Sequence, residues 1–140
     1  MKNRFFSLLE FAEALLISAV VRLVVRFFSP SIRLYWMGKP VDLQTTLPEP
    51  NAAQELILRS VKIAIVRSTR YAPWNTECYT QALTARIMLR RRQVPLLLFI
   101  GFKKEEGQLL QGHAWTTCGT YILTGYRIDL SSYVLNGCFL

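Results

Sequence analysis

Residues 74–78 are Trp74-Asn75-Thr76-Glu77-Cys78, and this stretch predicts a loop that runs into the start of a helix. Pro73 disfavours a helix before this point, and Asn75 and Thr76 are good N-cap residues. Residues 78–92 contain no Gly or Pro, so the helix is expected to continue to about Arg92. Cys78 therefore lies in the first helical turn, where exposed backbone N–H groups and the positive end of the helix dipole favour a thiolate.

The chain contains a single histidine, and its sequence context is typical of a strand. His113 lies in Gly112-His113-Ala114-Trp115, which opens an alternating, β-prone segment. A cysteine at a helix start and an imidazole on a strand can form the cysteine/histidine pair of acyl-transfer enzymes. The alternative is that both are inert core residues, because free cysteines are among the most buried residue types.

Acyl transfer also needs hydrogen-bond donors for the oxyanion of the tetrahedral intermediate. The backbone N–H of Cys78 is one candidate donor, and the side chain of Asn75 is a weaker one. Trp74 and Trp115 are candidate walls of the site, although packing is the more usual role of a tryptophan.

At 140 residues the chain fits one domain with a real core. Its 17 Lys and Arg residues outnumber 9 Asp and Glu, and the formal charge of +8 favours an acidic partner such as anionic lipid, nucleic acid or an acidic peptide.

Cys78, Cys118 and Cys138 are too widely spaced for a disulfide framework or a zinc site, which favours a reducing cytoplasm. We expect no metal, because the cysteine spacing does not fit a zinc site, and no bound nucleotide or other cofactor, because no phosphate-cradling Gly-rich motif is present. We also expect no nucleic acid, because Arg90-Arg91-Arg92 is typical of a charged helix end.

The helix predicted over residues 5–28 is long and apolar, and it ends at Ser29-Pro30. Its apolar run between Glu13 and Arg22 is shorter than the roughly 18 to 20 residues that span a bilayer. Its apolar face suits packing on the core, docking on a partner protein, or contact with a membrane surface. We therefore predict an N-terminal helical docking segment over residues 1–45 and a core carrying Cys78 and His113 over residues 46–140.

The remaining periodicity predicts one more helix before that of Cys78, and strands after it. The helix covers residues 51–68 and is capped by Asn51. The helix that begins at Cys78 should bury Ala82, Ala85 and Leu89 on one face. The predicted strands cover residues 96–102, 109–118 and 121–124, with the last two antiparallel. This order predicts an α+β fold: N-terminal helices, the helix that carries the nucleophile, then a small antiparallel sheet.

A set of short blocks in the second half of the chain resembles one family. The blocks are Pro73-Trp74 and Cys78, Leu89-Arg90-Arg91 with Val94-Pro95, Leu98-Phe99-Ile100-Gly101, Gly112-His113-Ala114-Trp115, Gly119 and Gly125. Their order and spacing are similar to the B2 proteins of lasso-peptide biosynthesis, leader peptidases with a transglutaminase-like or papain-like core. The resemblance implies that Cys78 attacks the bond between leader and core peptide, with His113 as general base and then acid. In this family a leader-binding module is either fused ahead of the peptidase or made as a separate protein. Residues 1–50 are too short and too uniformly helical to be that module, so we expect a separate leader-binding protein as partner, and the resemblance implies a lasso cyclase that receives the core peptide.

One part of the family pattern is missing from this sequence. The family typically has an aspartate on the strand after the histidine, but residues 121–125 contain no acidic side chain. Asp129 is the nearest one downstream, and it can orient the imidazole only if Gly125 permits a bend in the chain. Otherwise Thr124, a backbone carbonyl or water would orient the ring, and a cysteine/histidine dyad would work less efficiently.

Overall fold

The computed structural model describes residues 2–140, without the side chains of residues 2, 3 and 5. The α-helices in this range are α1 (Lys2–Phe27), α2 (Pro30–Met37), α3 (Ala52–Tyr71) and α4 (Cys78–Arg91). The strands are β1 (Pro40–Val41), β2 (Leu97–Lys103), β3 (Gln111–Cys118), β4 (Tyr121–Thr124) and β5 (Val134–Phe139), with a 3-10 turn at Leu130–Ser132 before β5. The predicted α+β fold is confirmed.

The strands form one antiparallel sheet in the order β1-β5-β2-β3-β4. β2 pairs along its full length with residues 111–117 of β3, and Gly101 lies opposite His113. The hairpin between β3 and β4 turns at Gly119, whose φ of +57° favours glycine. β4 pairs only with residues 116–118 of β3, so the part of β3 that carries His113 extends beyond the end of β4.

A capping box explains where α3 begins, whereas no side-chain hydrogen bond caps the start of α4. The side chain of Asn51 accepts a hydrogen bond from the backbone N–H of Gln54, and the Gln54 side chain accepts one from the backbone of Asn51, which is a capping box. At α4 the sequence predicted Asn75 or Thr76 as the N-cap. The N-cap is instead Glu77, whose side chain makes no capping hydrogen bond, so Cys78 is the first helical residue.

α4 lies in the centre of the molecule and contacts α1, α3 and the sheet. Its predicted inward face is confirmed, because Ala82, Ala85 and Leu89 are fully buried. Two apolar clusters surround this face. One joins α4 to α3 and β4 and includes Leu58, Val61, Met88 and Leu123. The other joins α4 to α1, α2 and the sheet and includes Val21, Met37, Leu83, Leu98 and Ala114.

α1 is attached to this core through one apolar face and through its glutamates. Glu13 pairs with Arg92, with Nη1–Oε1 at 3.1 Å and Nη2–Oε2 at 2.6 Å, and Arg91 reaches the same carboxylate at 3.0 Å. The hydrogen bonds that Arg92 donates to Glu13 raise the pKa of Arg92. The end of α4 is therefore not a simply solvated charge run. The division between residues 1–45 and 46–140 stays a prediction about function, since both parts contribute to the clusters around α4.

Candidate active site

The geometry of α4 gives Cys78 the setting expected of a helix-start thiol. Cys78 is the first residue of α4, is partly buried, and packs against the cluster that contains Ala82 and Ala114. The first hydrogen bond of the helix runs from Gln81 N to Glu77 O, at 3.0 Å. Helix geometry gives the earlier N–H groups, including that of Cys78, no partner four residues back. These N–H groups are available to a developing oxyanion beside the sulfur.

His113 lies in an aromatic group on one face of the sheet. Its ring centroid is 5.9 Å from that of Trp115 and 5.3 Å from that of Tyr133. Phe99, opposite Trp115 on β2, stacks on the Trp115 ring at 5.6 Å. Side chains two residues apart on a strand share a face, which is why His113 and Trp115 stack.

A backbone carbonyl holds the imidazole of His113. The Nε2 atom lies 2.7 Å from the carbonyl oxygen of Gly125. A carbonyl oxygen can only accept a hydrogen bond, so Nε2 carries a proton in this contact, and in a neutral imidazole Nδ1 is then the unprotonated nitrogen. Gly125 has a φ of +77°, and a Cβ there would lie 2.7 Å from Cβ of Trp115 and closer still to the carbonyl oxygen of Ala114. Only glycine brings the backbone this close to the histidine strand.

Asp129 is not placed on the imidazole. Its Oδ1 accepts a hydrogen bond from Nε of Arg127 at 2.9 Å, and its Oδ2 accepts one from Nζ of Lys103 at 2.9 Å. These two cations hold the pKa of Asp129 well below its ordinary value. Lys103 is also paired with Glu105. The Asp129 carboxylate is therefore engaged by basic side chains, and Nε2 of His113 is engaged by the Gly125 carbonyl. The triad role of Asp129 stays a prediction.

Within the described residues 2–140, no hydrogen bond connects Cys78 and His113. Ala114 packs with the residues of α4, and consecutive strand residues point to opposite faces, so His113 is directed away from that cluster. Hydrogen bonds of a catalytic site are often formed only when substrate is bound. The pair remains the candidate for catalysis.

Arg127 lies beside the aromatic group that contains His113. Its guanidinium carbon lies 5.8 Å from the centroid of the Tyr133 ring, which in turn contacts His113. The hydrogen bond to Asp129 is the main cause that raises the pKa of Arg127, and the negative charge of a Cys78 thiolate raises it further.

The other predicted site residues have structural partners. Nε1 of Trp74 donates a hydrogen bond to Oγ of Ser18 at 3.3 Å, which ties the loop before α4 to α1. Nδ2 of Asn75 donates to Glu77 at 3.1 Å, so this amide is engaged with the N-cap residue. Trp115 is the central ring of the aromatic group beside His113. Asn75 as an oxyanion donor, and the two tryptophans as site walls, stay predictions.

Sequence reasoning did not find Arg127 and Tyr133. Tyr133 belongs to an apolar C-terminal segment that carries no motif, and Arg127 looks like an ordinary surface charge. Gly125 did carry a signal, because an isolated glycine at a strand end marks a close backbone approach. Among residues 2–140, no group of three or more Cys, His, Asp or Glu residues is arranged to hold a metal ion.

The fold and these residues define a class of protein. A cysteine at the start of a central helix, packed on an antiparallel sheet with a histidine on one of its strands, is an arrangement suited to cysteine-dependent acyl transfer. The sequence profile of the transglutaminase-like superfamily matches residues 19–134. The chain therefore belongs to the transglutaminase-like superfamily, which includes cysteine proteases. Neither a curated protein nor a solved structure gives a significant match.

Proposed function

We propose that this protein is a cysteine endopeptidase that removes the leader from a lasso-peptide precursor. The observation that carries the proposal is the position of Cys78 as the first residue of α4 in a family that includes cysteine proteases. The order and spacing of the sequence blocks around Cys78 and His113 support the narrower assignment to leader removal. The free thiols support a reducing cytoplasm as the place of the reaction.

In the proposed reaction, Nδ1 of His113 takes the proton of the Cys78 thiol, and the sulfur attacks the carbonyl carbon between leader and core peptide. The imidazolium then gives this proton to the amine of the core peptide, which leaves. The leader stays on Cys78 as a thioester. Nδ1 next removes a proton from water, the hydroxide attacks the thioester, and the thiol is restored when the leader departs as a carboxylic acid.

The geometry sets two requirements for this reaction. The reaction requires the imidazole of His113 within reach of the Cys78 thiol, and the two are not hydrogen-bonded in this structure. The Gly125 carbonyl then fixes the tautomer but lacks the negative charge that stabilises an imidazolium. Loss of the triad carboxylate costs about 10⁴-fold in turnover in a well-studied serine protease, so we expect slow cleavage.

The decisive experiment compares Cys78→Ala with Cys138→Ala, which removes a thiol that is buried elsewhere. Each variant is incubated with the precursor peptide and the leader-binding protein, and the products are weighed by mass spectrometry. We expect cleavage to be abolished by Cys78→Ala alone. A leader mass that corresponds to an amine adduct, rather than to a carboxylic acid, would indicate a transglutaminase-type transfer instead of hydrolysis.

The second candidate function is a noncatalytic, basic adaptor of a biosynthetic complex. The observation that favours it is the absence, within residues 2–140, of a hydrogen bond between Cys78 and His113, together with the engagement of Asp129 by Arg127 and Lys103. Precursor cleavage that survives Cys78→Ala would support this adaptor and would exclude the peptidase.

α1 offers a docking surface for the separate leader-binding protein. Leu16, Val20, Leu23 and Phe27 are exposed at helical spacing, and Leu16 and Phe27 are 68% and 74% exposed. At 3.6 residues per turn these side chains occupy a strip about 60° wide. Over residues 16–27 this strip suits the seam between two helices, and Leu8 and Leu9 continue the exposed apolar surface toward the start of α1. No helix within residues 2–140 is long and apolar enough to cross a membrane.

Docking at α1 would tether the precursor and raise its local concentration at Cys78, before the core peptide passes to a lasso cyclase. We expect Leu16→Glu with Leu23→Glu to abolish stimulation of cleavage by the leader-binding protein. Leu56→Glu, at an exposed apolar position of α3, is the control that should keep it. Sedimentation with anionic phosphatidylserine vesicles tests the alternative, since loss of vesicle binding without loss of stimulation would assign the strip to a membrane surface.

A further inference from the structure

A second concave site lies at the opposite end of α4 from Cys78. It is a groove of about 690 Å³ between the C-terminal half of α4 and the segment that joins α2 to β1. Its lining includes Tyr35, Lys39, Arg86, Arg90, Val94 and Leu96, which we call the basic groove. At 1.5 Å per residue, Arg86 and Arg90 lie roughly 12 and 18 Å from Cys78 along the helix. The groove is therefore separate from the candidate active site.

The basic groove carries three cationic side chains. Among residues 2–140, no acidic group forms an ion pair with Lys39, Arg86 or Arg90. This contrasts with Arg91 and Arg92 on the same helix, which both bind Glu13. Burial lowers the pKa of Arg86, and the neighbouring charge of Arg90 lowers it further. An anion in the groove would relieve both effects.

The backbone leaves room for Arg86 at the wall of the groove. Gly38 has a φ of +103°, and a Cβ at this position would collide with the guanidinium of Arg86 and lie 2.5 Å from the backbone oxygen of Leu140. That backbone oxygen accepts a hydrogen bond from the backbone N–H of Lys39 at 3.0 Å. The backbone at Gly38 therefore leaves a space that the guanidinium of Arg86 occupies. A side chain at position 38 would fill that space.

The floor of the groove is apolar. Val94 and Leu96 are each only 4% exposed, and the exposed side chain of Tyr35 also lines the groove. The volume lies within the range of about 300 to 1,000 Å³ that is typical of ligand sites, and it exceeds what a single phosphate ion would fill. A matching ligand carries negative charge and apolar groups together.

The spacing of the arginines indicates how the charges of such a ligand are arranged. Arg86 and Arg90 are four residues apart on α4, so their Cβ atoms lie about 5 to 6 Å apart on one face. Side chains two residues apart on an extended peptide lie about 6.6 Å apart and point the same way. We infer that the basic groove binds an extended acidic peptide segment in which acidic and apolar residues alternate. This inference goes beyond the proposed peptidase activity and does not depend on it.

The inference can be tested on a chain that cannot cleave. Full-length protein with Cys78→Ala is titrated into a fluorescein-labelled peptide of alternating Glu and Leu, and binding is followed by fluorescence anisotropy. We expect Arg86→Gln with Arg90→Gln to weaken binding at least tenfold. The matched control is Arg59→Gln with Arg70→Gln on α3, which removes the same charge and should change the affinity less than twofold. A peptide of the same composition with its Glu residues in one block should bind at least threefold more weakly.

Three results would overturn the inference. Equal weakening of peptide binding by the two double variants would mean that the affinity depends on the net charge of the protein and not on the groove. Equal binding of the alternating and block peptides would remove the argument from spacing. Competition by inorganic phosphate at the same concentration as the peptide would assign the groove to small anions. Arg90→Gln alone, at an exposed position, should reproduce at least a threefold loss, so the test does not depend on the folding of the double variant.

Discussion

Gly125→Ala tests the contact that orients the imidazole. A left-handed conformation costs a residue with a Cβ about 1 to 2 kcal/mol. At Gly125, with φ at +77°, the new methyl group would also press on backbone atoms of Ala114 and Trp115. Overpacking of this kind adds about 1 to 3 kcal/mol. We therefore expect the free energy of unfolding to fall by about 2 to 5 kcal/mol.

Gly107→Ala is the matched control for this substitution. Gly107 has nearly the same φ, +76°, but no atom lies within 4 Å of the position of its Cβ. Its loss should be limited to the conformational cost of about 1 to 2 kcal/mol. Urea unfolding followed by tryptophan fluorescence measures both variants. Equal losses for the two would refute the close approach at Gly125.

The same substitution should change the histidine itself. His113 is the single histidine of the chain, so its ring nitrogen signals in a ¹⁵N NMR spectrum are assigned without ambiguity. We expect the native protein to show the Nε2–H tautomer, and Gly125→Ala to weaken that preference because the carbonyl is displaced. A native spectrum of the Nδ1–H tautomer would show that Gly125 does not hold the ring.

The other predictions concern thiols, charges and the attachment of α1. Iodoacetamide should label Cys78 well before the other two cysteines, because burial raises the pKa of both of their thiols; equal rates for all three would contradict this. Asp129→Asn should destabilise the protein at neutral pH. The folded protein holds the pKa of this carboxyl below its unfolded-state value of about 3.9, so the carboxylate adds stability above that pH, and this stability is lost as the pH falls toward the folded-state pKa. A variant that is as stable as the native protein at pH 7 would show that the ion pairs of Asp129 add nothing. The same variant should keep turnover within tenfold, whereas a loss near 10⁴-fold would place Asp129 on the imidazole. A double-mutant cycle on Glu13 and Arg92 should give a coupling of about 1 to 3 kcal/mol, and a value near zero would mean that this pair does not hold α1.

The elements with strong local signals could be predicted from sequence. Asn51 begins α3 through bonds to a residue three positions away, and the periodicity of α4 identifies its buried face. The β3–β4 hairpin follows from Gly119, which turns the chain between adjacent strands. The start of α4 was predicted one to two residues early, because good capping residues were present at Asn75 and Thr76 and neither is used.

The sequence by itself determined the α+β order of elements, the helix-start position of Cys78 and the strand position of His113, because each depends on residues within a few positions of one another. Only the tertiary structure decided that β5 lies between β1 and β2, that Arg92 binds a glutamate 79 residues away, and that a carbonyl holds His113. It also decided that Asp129 serves Arg127 and Lys103. These contacts join segments that are distant in the chain. Their partners are chosen by packing geometry and by competition among many similar charges, and no local pattern records that choice.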